Sequence, residues 1–158
     1  MKPLEGQTAL VTGATQGIGR ATALALAGAG ATVWINHLDQ PEAATALVAR
    51  IAASGGKAYA AQADVSVPQQ VEDLFAHVLA EGDLHIRING VAPGPVDTPM
   101  VSVEHMSEAM IARETAIPAG RLGKPEEIAA AVLFLVSPEA SFFHGQILGA
   151  NGGAWMGA

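Results

Sequence analysis

The chain has 158 residues, of which 50% are hydrophobic, and a mean hydropathy of +0.32. This is enough for one well-buried core and too little for two ordinary domains. A net charge of −7 with only eight Lys and Arg residues leaves no basic surface for nucleic acid or an anionic membrane, and the lack of cysteine excludes disulfides and thiolate metal sites.

The ends and the apolar runs of the sequence add to these exclusions. The start, MKPLEG, has no apolar signal segment. The longest apolar run, Ile128–Val136, is about half the length that a membrane helix needs. We therefore expect one domain over residues 1–158, located in the cytoplasm, with neither nucleic acid nor a membrane as partner.

The first third of the chain alternates β-branched runs with alanine-rich stretches. The runs predict strands at Thr8–Thr12, Ala31–Asn36 and Lys57–Ala63, and the stretches predict helices at Ile18–Ala29 and Pro41–Ala53. This alternation is typical of a parallel sheet with helices on both faces.

A third helix is expected after the third strand. Ser66 is predicted to be its N-cap, with Gln69 as the reciprocal partner of a capping box. The apolar stripe of this helix is predicted to consist of Val71, Leu74, Phe75 and Val78.

The second half contains fewer strand signals. Ile86–Val91 is the only strand candidate before a proline-rich stretch, and Gln146–Ala150 is the last strand. Helices are predicted at Val103–Thr115 and at Pro125–Val136, where a proline at the first position marks an ordinary helix start. His105 and Glu108 would lie one helical turn apart, but a solvated helix face is favoured over a metal site because no third ligand is near in sequence.

The most informative local feature is the segment TGATQGIG at residues 12–19. It follows a predicted buried strand and opens a helix, so that backbone N–H groups and a helix N-terminus converge at one point, which suits a pyrophosphate. The glycine spacing alone is a weak signal, and an ordinary glycine-rich turn is the alternative. The position between strand and helix favours dinucleotide binding.

Five blocks together resemble the classical short-chain dehydrogenase/reductase family, in particular its 3-oxoacyl thioester reductases. They occur in the family's order and span nearly the whole chain. The blocks are TGATQGIG at 12–19, Asp64-Val65, Pro93-Gly94 with Thr98, GRLGKPEEIAAAVLFLVSPEAS at 120–141, and NGGAWMG at 151–157. The resemblance implies a Rossmann-like α/β fold, a doubly wound parallel sheet in three layers with about five strands.

The resemblance also implies that a central segment is missing. In the family, a catalytic serine and a Tyr-x-x-x-Lys pair lie between two parts that here meet in EGDLHIRINGVAPGPVDTPM, residues 81–100. Roughly a third of a typical member is absent. Leu84, Ile86, Ile88 and Asn89 fit the family's central strand, whereas Arg87–Met100 fits a later one, so the hybrid strand is expected to lie beside the first strand.

No residue is assigned a catalytic role. Reduction of a carbonyl needs a positioned proton donor, and the single tyrosine, Tyr59, lies in a predicted strand with Ala63 at the lysine position. Tyr59 is therefore interpreted as a packing residue. The lysines at positions 2, 57 and 124 are not placed to lower the pKa of a phenol.

The cofactor residues are assigned by resemblance. They are Gly13, Gly17, Ile18 and Gly19 for the pyrophosphate, Asp64 and Val65 for the adenine, and Pro93, Gly94, Val96 and Thr98 for the nicotinamide side. His37 stands where an acid would bind the ribose and repel a 2′-phosphate, and Gln16 stands where NADP-preferring relatives often carry a basic residue. The missing acid favours NADP over NAD.

Three functions remain open at this point. The first is a dinucleotide-binding domain without the family's hydride transfer, the second an active oxidoreductase with a non-standard proton donor, and the third a non-enzymatic assembly fragment or deletion product. The resemblance further implies a homodimer through the last helix and strand, Pro125–Val136 and Gln146–Ala150.

Overall fold

The computed structural model describes residues 2–79 and 88–156. The chain divides into two compact units, Met1–Ile86 and Arg87–Ala158. The expected single domain over residues 1–158 stays a prediction.

The first unit is a three-stranded parallel sheet with its connecting helices. The strand order is β1-β2-β3, and Trp34 of β2 pairs with Leu10 of β1 and Tyr59 of β3. The elements are β1 (Thr8–Val11), α1 (Gly17–Gly28), β2 (Thr32–His37), α2 (Pro41–Ala53), β3 (Lys57–Gln62) and α3 (Pro68–Leu79). The three predicted strands and first two predicted helices are confirmed to within one residue at each end.

Apolar packing on both faces of this sheet forms the core of the first unit. Val33 and Ile35 of β2 are fully buried on one face, and α1 and α2 contact this strand. Trp34 points to the opposite face, where it packs against Leu74 and Val78 of α3. Helices on both faces of a parallel sheet are the layers expected of a Rossmann-like fold.

The predicted start of α3 is wrong. The helix begins at Pro68, and the hydroxyl and backbone N–H of Ser66 both donate to Asp64 Oδ1, at 2.6 and 2.9 Å. Gln69 Nε2 donates to Asp73 instead of returning to Ser66. The physical reason is Pro68, whose fixed φ and missing N–H suit the first turn of a helix and move its start beyond the serine. Of the predicted stripe, Phe75 is 43% exposed.

The second unit contains a two-stranded parallel sheet. Gly90 pairs with Ile147, and the register continues to Pro93 and Ala150. The elements are β4 (Gly90–Pro93), a 3₁₀ turn (Val103–His105), α4 (Glu108–Glu114), α5 (Pro125–Val136), a second 3₁₀ turn (Pro138–Ala140) and β5 (Ile147–Ala150). The helix predicted at Pro125–Val136 is confirmed. None of the helices among residues 2–79 and 88–156 is both long and apolar enough to cross a membrane.

Five strands are thus described, as expected, although they form two sheets, one of three strands and one of two. The hybrid strand was predicted to begin at Ile86, but residues 80–87 lie outside the described part, and β4 begins at Gly90. Leu84, Ile86 and Arg87 therefore receive no structural account. The expected place of this strand beside β1 stays a prediction.

The helix predicted over Val103–Thr115 is wrong as a single element. Met106 and Ser107 adopt extended backbone conformations, which separate the 3₁₀ turn from α4. Ser107 is the N-cap of α4, and its hydroxyl accepts a hydrogen bond from Met110 N at 3.3 Å. His105 and Glu108 consequently belong to different elements, and the described residues contain no group of three side chains that could hold a metal ion.

The start of α5 is fixed by the Glu127 carboxylate. It accepts hydrogen bonds from the Arg121 guanidinium at 2.6 and 2.8 Å and from Lys124 N at 2.8 Å. These bonds, the Arg121 bond foremost, lower the pKa of Glu127 from its ordinary 4.5 to about 2. The residues before α5 are thereby tied to its first turn.

The stabilisation by Glu127 should depend on pH. A carboxyl whose pKa is lowered by folding stabilises the folded state fully above its unfolded pKa, and the effect is lost as the pH falls from about 4.5 through about 2. Glu127→Gln should therefore lower the melting temperature at pH 6, and its difference from the wild type should shrink below pH 4.5. Circular dichroism melts would measure this, with Glu126→Gln as the control from the same turn. A Glu127→Gln difference that stays constant down to pH 2 would contradict the assignment.

Candidate functional site

The turn between β1 and α1 requires glycine for its backbone conformation. Gly13 and Gly17 have φ angles of 58° and 52°, in the left-handed region that other residues rarely adopt. A Cβ added at Gly13 would meet no atom within 4 Å, so this side of the turn is open. The next residue, Ala14, is fully buried, and its N–H donates to the carbonyl of Asn36 at 3.2 Å.

The start of α1 packs directly against this turn. A Cβ added at Gly19 would lie 2.3 Å from the carbonyl oxygen of Gly13, which leaves room for glycine only. Gln16 is the N-cap, but its side chain makes no capping hydrogen bond, and no acidic residue lies in the first turn. The positive end of the α1 dipole is therefore uncompensated by a side chain and faces the open turn, which is the geometry of an anion site.

These features fit a pyrophosphate group. The turn combines two left-handed glycines, a third glycine at a close backbone approach, and an uncapped helix N-terminus. The predicted residues Gly13, Gln16, Gly17, Ile18 and Gly19 are all brought together here. A dinucleotide, if bound, would place its phosphates against these backbone N–H groups.

His37 lies where the sequence predicts it, at the carboxyl end of β2. Its side chain is only 6% exposed, and its Nδ1 has no hydrogen-bond partner among the described residues. The carbonyl of His37 accepts a bond from Ala63 N at 3.0 Å. The end of β2 therefore carries a buried imidazole ring in place of an exposed carboxylate, while Asp39, two residues on, is exposed.

One contact on this side of the turn was missed by sequence reasoning. The Thr15 hydroxyl donates to Gln40 Oε1, and Gln40 is the N-cap of α2. This bond joins the glycine turn to the loop between β2 and α2. The sequence indicates Gln40 as a helix cap, since it precedes the proline that opens α2. It does not indicate the bond to Thr15, because the two residues are 25 positions apart and no periodic pattern links them.

Asp64 and Val65 follow β3 at the same edge of the sheet, because the carboxyl ends of parallel strands lie together. Asp64 N donates to Gln70 Oε1 at 2.7 Å, and the Asp64 carboxylate accepts both bonds from Ser66. The side-chain bond from Ser66, followed by its backbone bond, lowers the pKa of Asp64. Val65 is 52% exposed and offers an apolar surface of the kind that a base can contact.

The four predicted nicotinamide-side residues lie in the second unit. Pro93 ends β4, and a Cβ at Gly94 would lie 2.5 Å from the carbonyl oxygen of Asn151. Val96 is buried and forms a bridge with Gly123. Thr98 N donates to the carbonyl of Val101 at 3.2 Å. That these four join the residues of the first unit in one site stays a prediction.

A cavity of about 250 Å³ lies beside Gly94 in this unit. Its polar lining includes Arg121, Glu127 and Asn151. Because Arg121 and Glu127 hold each other in a two-point ion pair, neither charge is left uncompensated for a charged ligand.

Tyr59 has the surroundings of a packing residue. Its ring centroid lies 5.0 Å from that of Trp34, and Lys57 Nζ lies 5.3 Å from the centroid. Ala63 stands four residues later, where the family pattern requires lysine.

Comparison with known proteins gives two family models that together span nearly the whole chain. The model described as short chain dehydrogenase matches residues 7–83, and the one described as enoyl-(acyl carrier protein) reductase matches residues 79–154. The two matches overlap at residues 79–83.

Curated relatives match only in part. The 3-oxoacyl-(acyl-carrier-protein) reductase FabG of Thermotoga maritima is 53% identical over 72 residues, which is 44% of this chain and 28% of the relative. The chain spans about a third of the length of the curated relatives that it matches.

Solved structures share the fold over almost their whole length. A dehydrogenase/reductase from Sinorhizobium meliloti 1021 has a TM-score of 0.89 at 24% identity, covering 97% of this chain and 96% of its own. A 7α-hydroxysteroid dehydrogenase complexed with NADH has a TM-score of 0.84 at 23% identity, covering 96% and 95%. The ketoreductase LanV with bound NADP has a TM-score of 0.83 at 22% identity, covering 98% of both chains.

The Rossmann-like α/β fold is confirmed by these structures. The family of this sequence is given by the two family models together with the curated 3-oxoacyl reductases. The chain belongs to the short-chain dehydrogenase/reductase family.

Proposed function

We propose that this chain binds NAD(P) at the glycine turn and does not carry out the family's own hydride transfer. The observation that carries the proposal is the geometry of residues 12–19. The carbonyl of Gly13 admits only a glycine at position 19, and α1 presents an uncapped N-terminus to the open side of the turn. Such an arrangement stabilises the negative charge of a pyrophosphate.

The choice of cofactor follows from the end of β2. NADP is favoured over NAD because β2 ends at His37, which by resemblance stands where a carboxylate would repel a 2′-phosphate. The hydroxyl of Thr15 and the amide of Gln40 add neutral polar groups nearby. The fold is shared by an NADH complex and an NADP complex, which supports a nicotinamide dinucleotide without choosing between the two.

The proposed absence of turnover follows from the lack of a positioned proton donor. A bound nicotinamide supplies a hydride, but the carbonyl oxygen also needs a positioned acid, whose contribution is about 10² to 10⁴ in rate. The only tyrosine in the sequence is Tyr59, which packs against Trp34 and has Ala63 at the lysine position. The meeting of the two family matches at residues 79–83 supports the proposal that a catalytic central segment is missing here.

A second candidate is an active oxidoreductase on a carbonyl or alcohol substrate. Membership of the family favours it, and the proton would then come from a partner subunit or from water. Turnover separates this candidate from the first, because both require cofactor binding.

Binding without turnover is the expected result for the purified chain. NADPH and NADH should each give a saturable change in nicotinamide fluorescence, with tighter binding of NADPH. No oxidation of either cofactor should exceed the rate without protein when β-ketoacyl thioesters, simple ketones or aldehydes are added. Oxidation of NADPH that scales with protein and is unaffected by Tyr59→Phe would support the second candidate. No binding of either cofactor would refute both.

Two glycine substitutions in α1 test the site directly. Gly19→Ala should remove NADPH binding, because its methyl group cannot fit beside the Gly13 carbonyl without moving the turn. Gly28→Ala in the same helix is the matched control, since an added Cβ there meets nothing within 4 Å. It should keep the affinity and raise stability by up to about 1 kcal/mol. Calorimetric titration and thermal melts measure both, and equal affinities for the two variants would contradict the proposed site.

We propose in addition that the chain forms a homodimer through α5 and β5. The surface beside these elements is unusually apolar, as Phe142 is 99% and Ile147 76% exposed. Phe134 of α5 and Phe143 stack edge to face, with centroids 5.3 Å apart, and continue this apolar surface. Burial of such side chains between two copies would stabilise association.

Substitutions on this surface test the dimer. Phe142→Ser and Ile147→Thr should each weaken self-association about tenfold or more, since each removes apolar area from the interface. Met100→Ser is the control, because Met100 is 88% exposed but lies between β4 and α4, outside the stretch from α5 to β5. Sedimentation equilibrium measures the dissociation constants. A wild-type chain that remains monomeric, or a dimer that tolerates both substitutions, would refute this interface.

A further inference from the structure

Asn36 makes hydrogen bonds to two separate parts of the candidate site. Its side chain is buried, and its Nδ2 donates to the carbonyls of Ala63 at 3.0 Å and Ala61 at 3.3 Å. Its own carbonyl accepts from Ala14 N at 3.2 Å. One residue near the end of β2 is thus bonded to the glycine turn on one side and to the end of β3 on the other.

The sheet itself does not require this side chain. The pairing of β2 with β3 is made by backbone groups through the register of Asn36 with Ala61 and His37 with Gln62. The preceding residue of β2 on the same face, Trp34, packs against the apolar side chains of Leu74 and Val78. A buried amide is costly unless its groups are bonded, and an apolar residue would serve strand pairing equally well. The buried amide of Asn36 therefore indicates a role other than strand pairing.

This role is indicated by the residues next to the groups that Asn36 bonds. Ala63 directly precedes Asp64 and Val65, the predicted adenine residues, and Ala14 lies between the predicted phosphate residues. We infer that Asn36 is a positioning residue that fixes the separation between the phosphate turn and the adenine end of β3. The inference rests on the proposed function, since this separation matters to a ligand that spans both places.

A ligand that spans both places should therefore depend on Asn36 more than one that occupies the turn alone. NADPH reaches from the phosphates to the adenine, whereas inorganic pyrophosphate needs only the turn. Asn36→Leu keeps a similar volume and removes both side-chain bonds. It should weaken NADPH about tenfold, the equivalent of one or two buried hydrogen bonds, and change pyrophosphate affinity less than twofold.

Two further variants keep the test independent of stability. Asn36→Ser retains one donor and should give an intermediate loss of NADPH affinity. Ile51→Val removes a methyl group from a fully buried side chain of α2 and should lower stability while leaving both affinities unchanged. Calorimetric titration of each ligand, with a melt of each variant, measures these effects. If Asn36→Leu weakens both ligands equally, or neither, the inference is refuted.

Amide hydrogen exchange without ligand separates this inference from the proposed function. Loss of the Asn36 amide should speed exchange at Asp64 and Val67, whose N–H groups are bonded within the segment after β3, and should leave α2 unchanged. If the wild type binds neither ligand, the proposed function fails. Faster exchange in Asn36→Leu would then still support the inference that Asn36 positions the segment after β3. Unchanged exchange would refute that inference.

Discussion

The close approach of α1 to the carbonyl of Gly13 is the constraint on which the candidate site depends. No Cβ fits at position 19, so the helix can begin directly above the end of β1 only because glycine stands there. This start of α1 brings the first N–H groups of the helix to the edge at which β1, β2 and β3 all end. The buried N–H of Ala14, bonded to Asn36, holds the turn to β2 and completes the arrangement.

The electrostatics of this edge agree with its backbone geometry. The first turn of α1 has no acidic residue, and β2 ends in a buried His37, so no carboxylate of these two elements opposes an anion at the turn. The end of β3 is different, because it is followed by the carboxylate of Asp64. This carboxylate accepts two hydrogen bonds from Ser66, which lower its pKa. The helix dipole therefore acts on the open turn without a competing side chain from its own helix.

Sequence patterns predicted elements well where a single residue fixes the boundary. Pro41 and Pro125 each open a helix, and α2 and α5 were predicted to the residue because proline fits only the first turn. Prediction failed where two signals competed, as when Pro68 displaced the cap expected at Ser66. It failed also where apolar spacing continued across a cap, because Ser107 divides two elements that share one periodicity. The glycine turn was predicted from local spacing.

The bonds of Asn36 were not predicted because they join positions up to 27 residues apart and leave no local pattern. The same distinction between local and distant contacts bears on the proposed function. Among the described residues, the bonds from Ala14 to Asn36 and from Thr15 to Gln40 join the glycine turn to other parts of the first unit, so the proposed phosphate site needs only the first strands and helices. Under the proposed function, a proton donor has no such local source, because the resemblance puts the family's donor in a segment between the two matched parts. We therefore propose that the chain holds a dinucleotide without protonating a substrate.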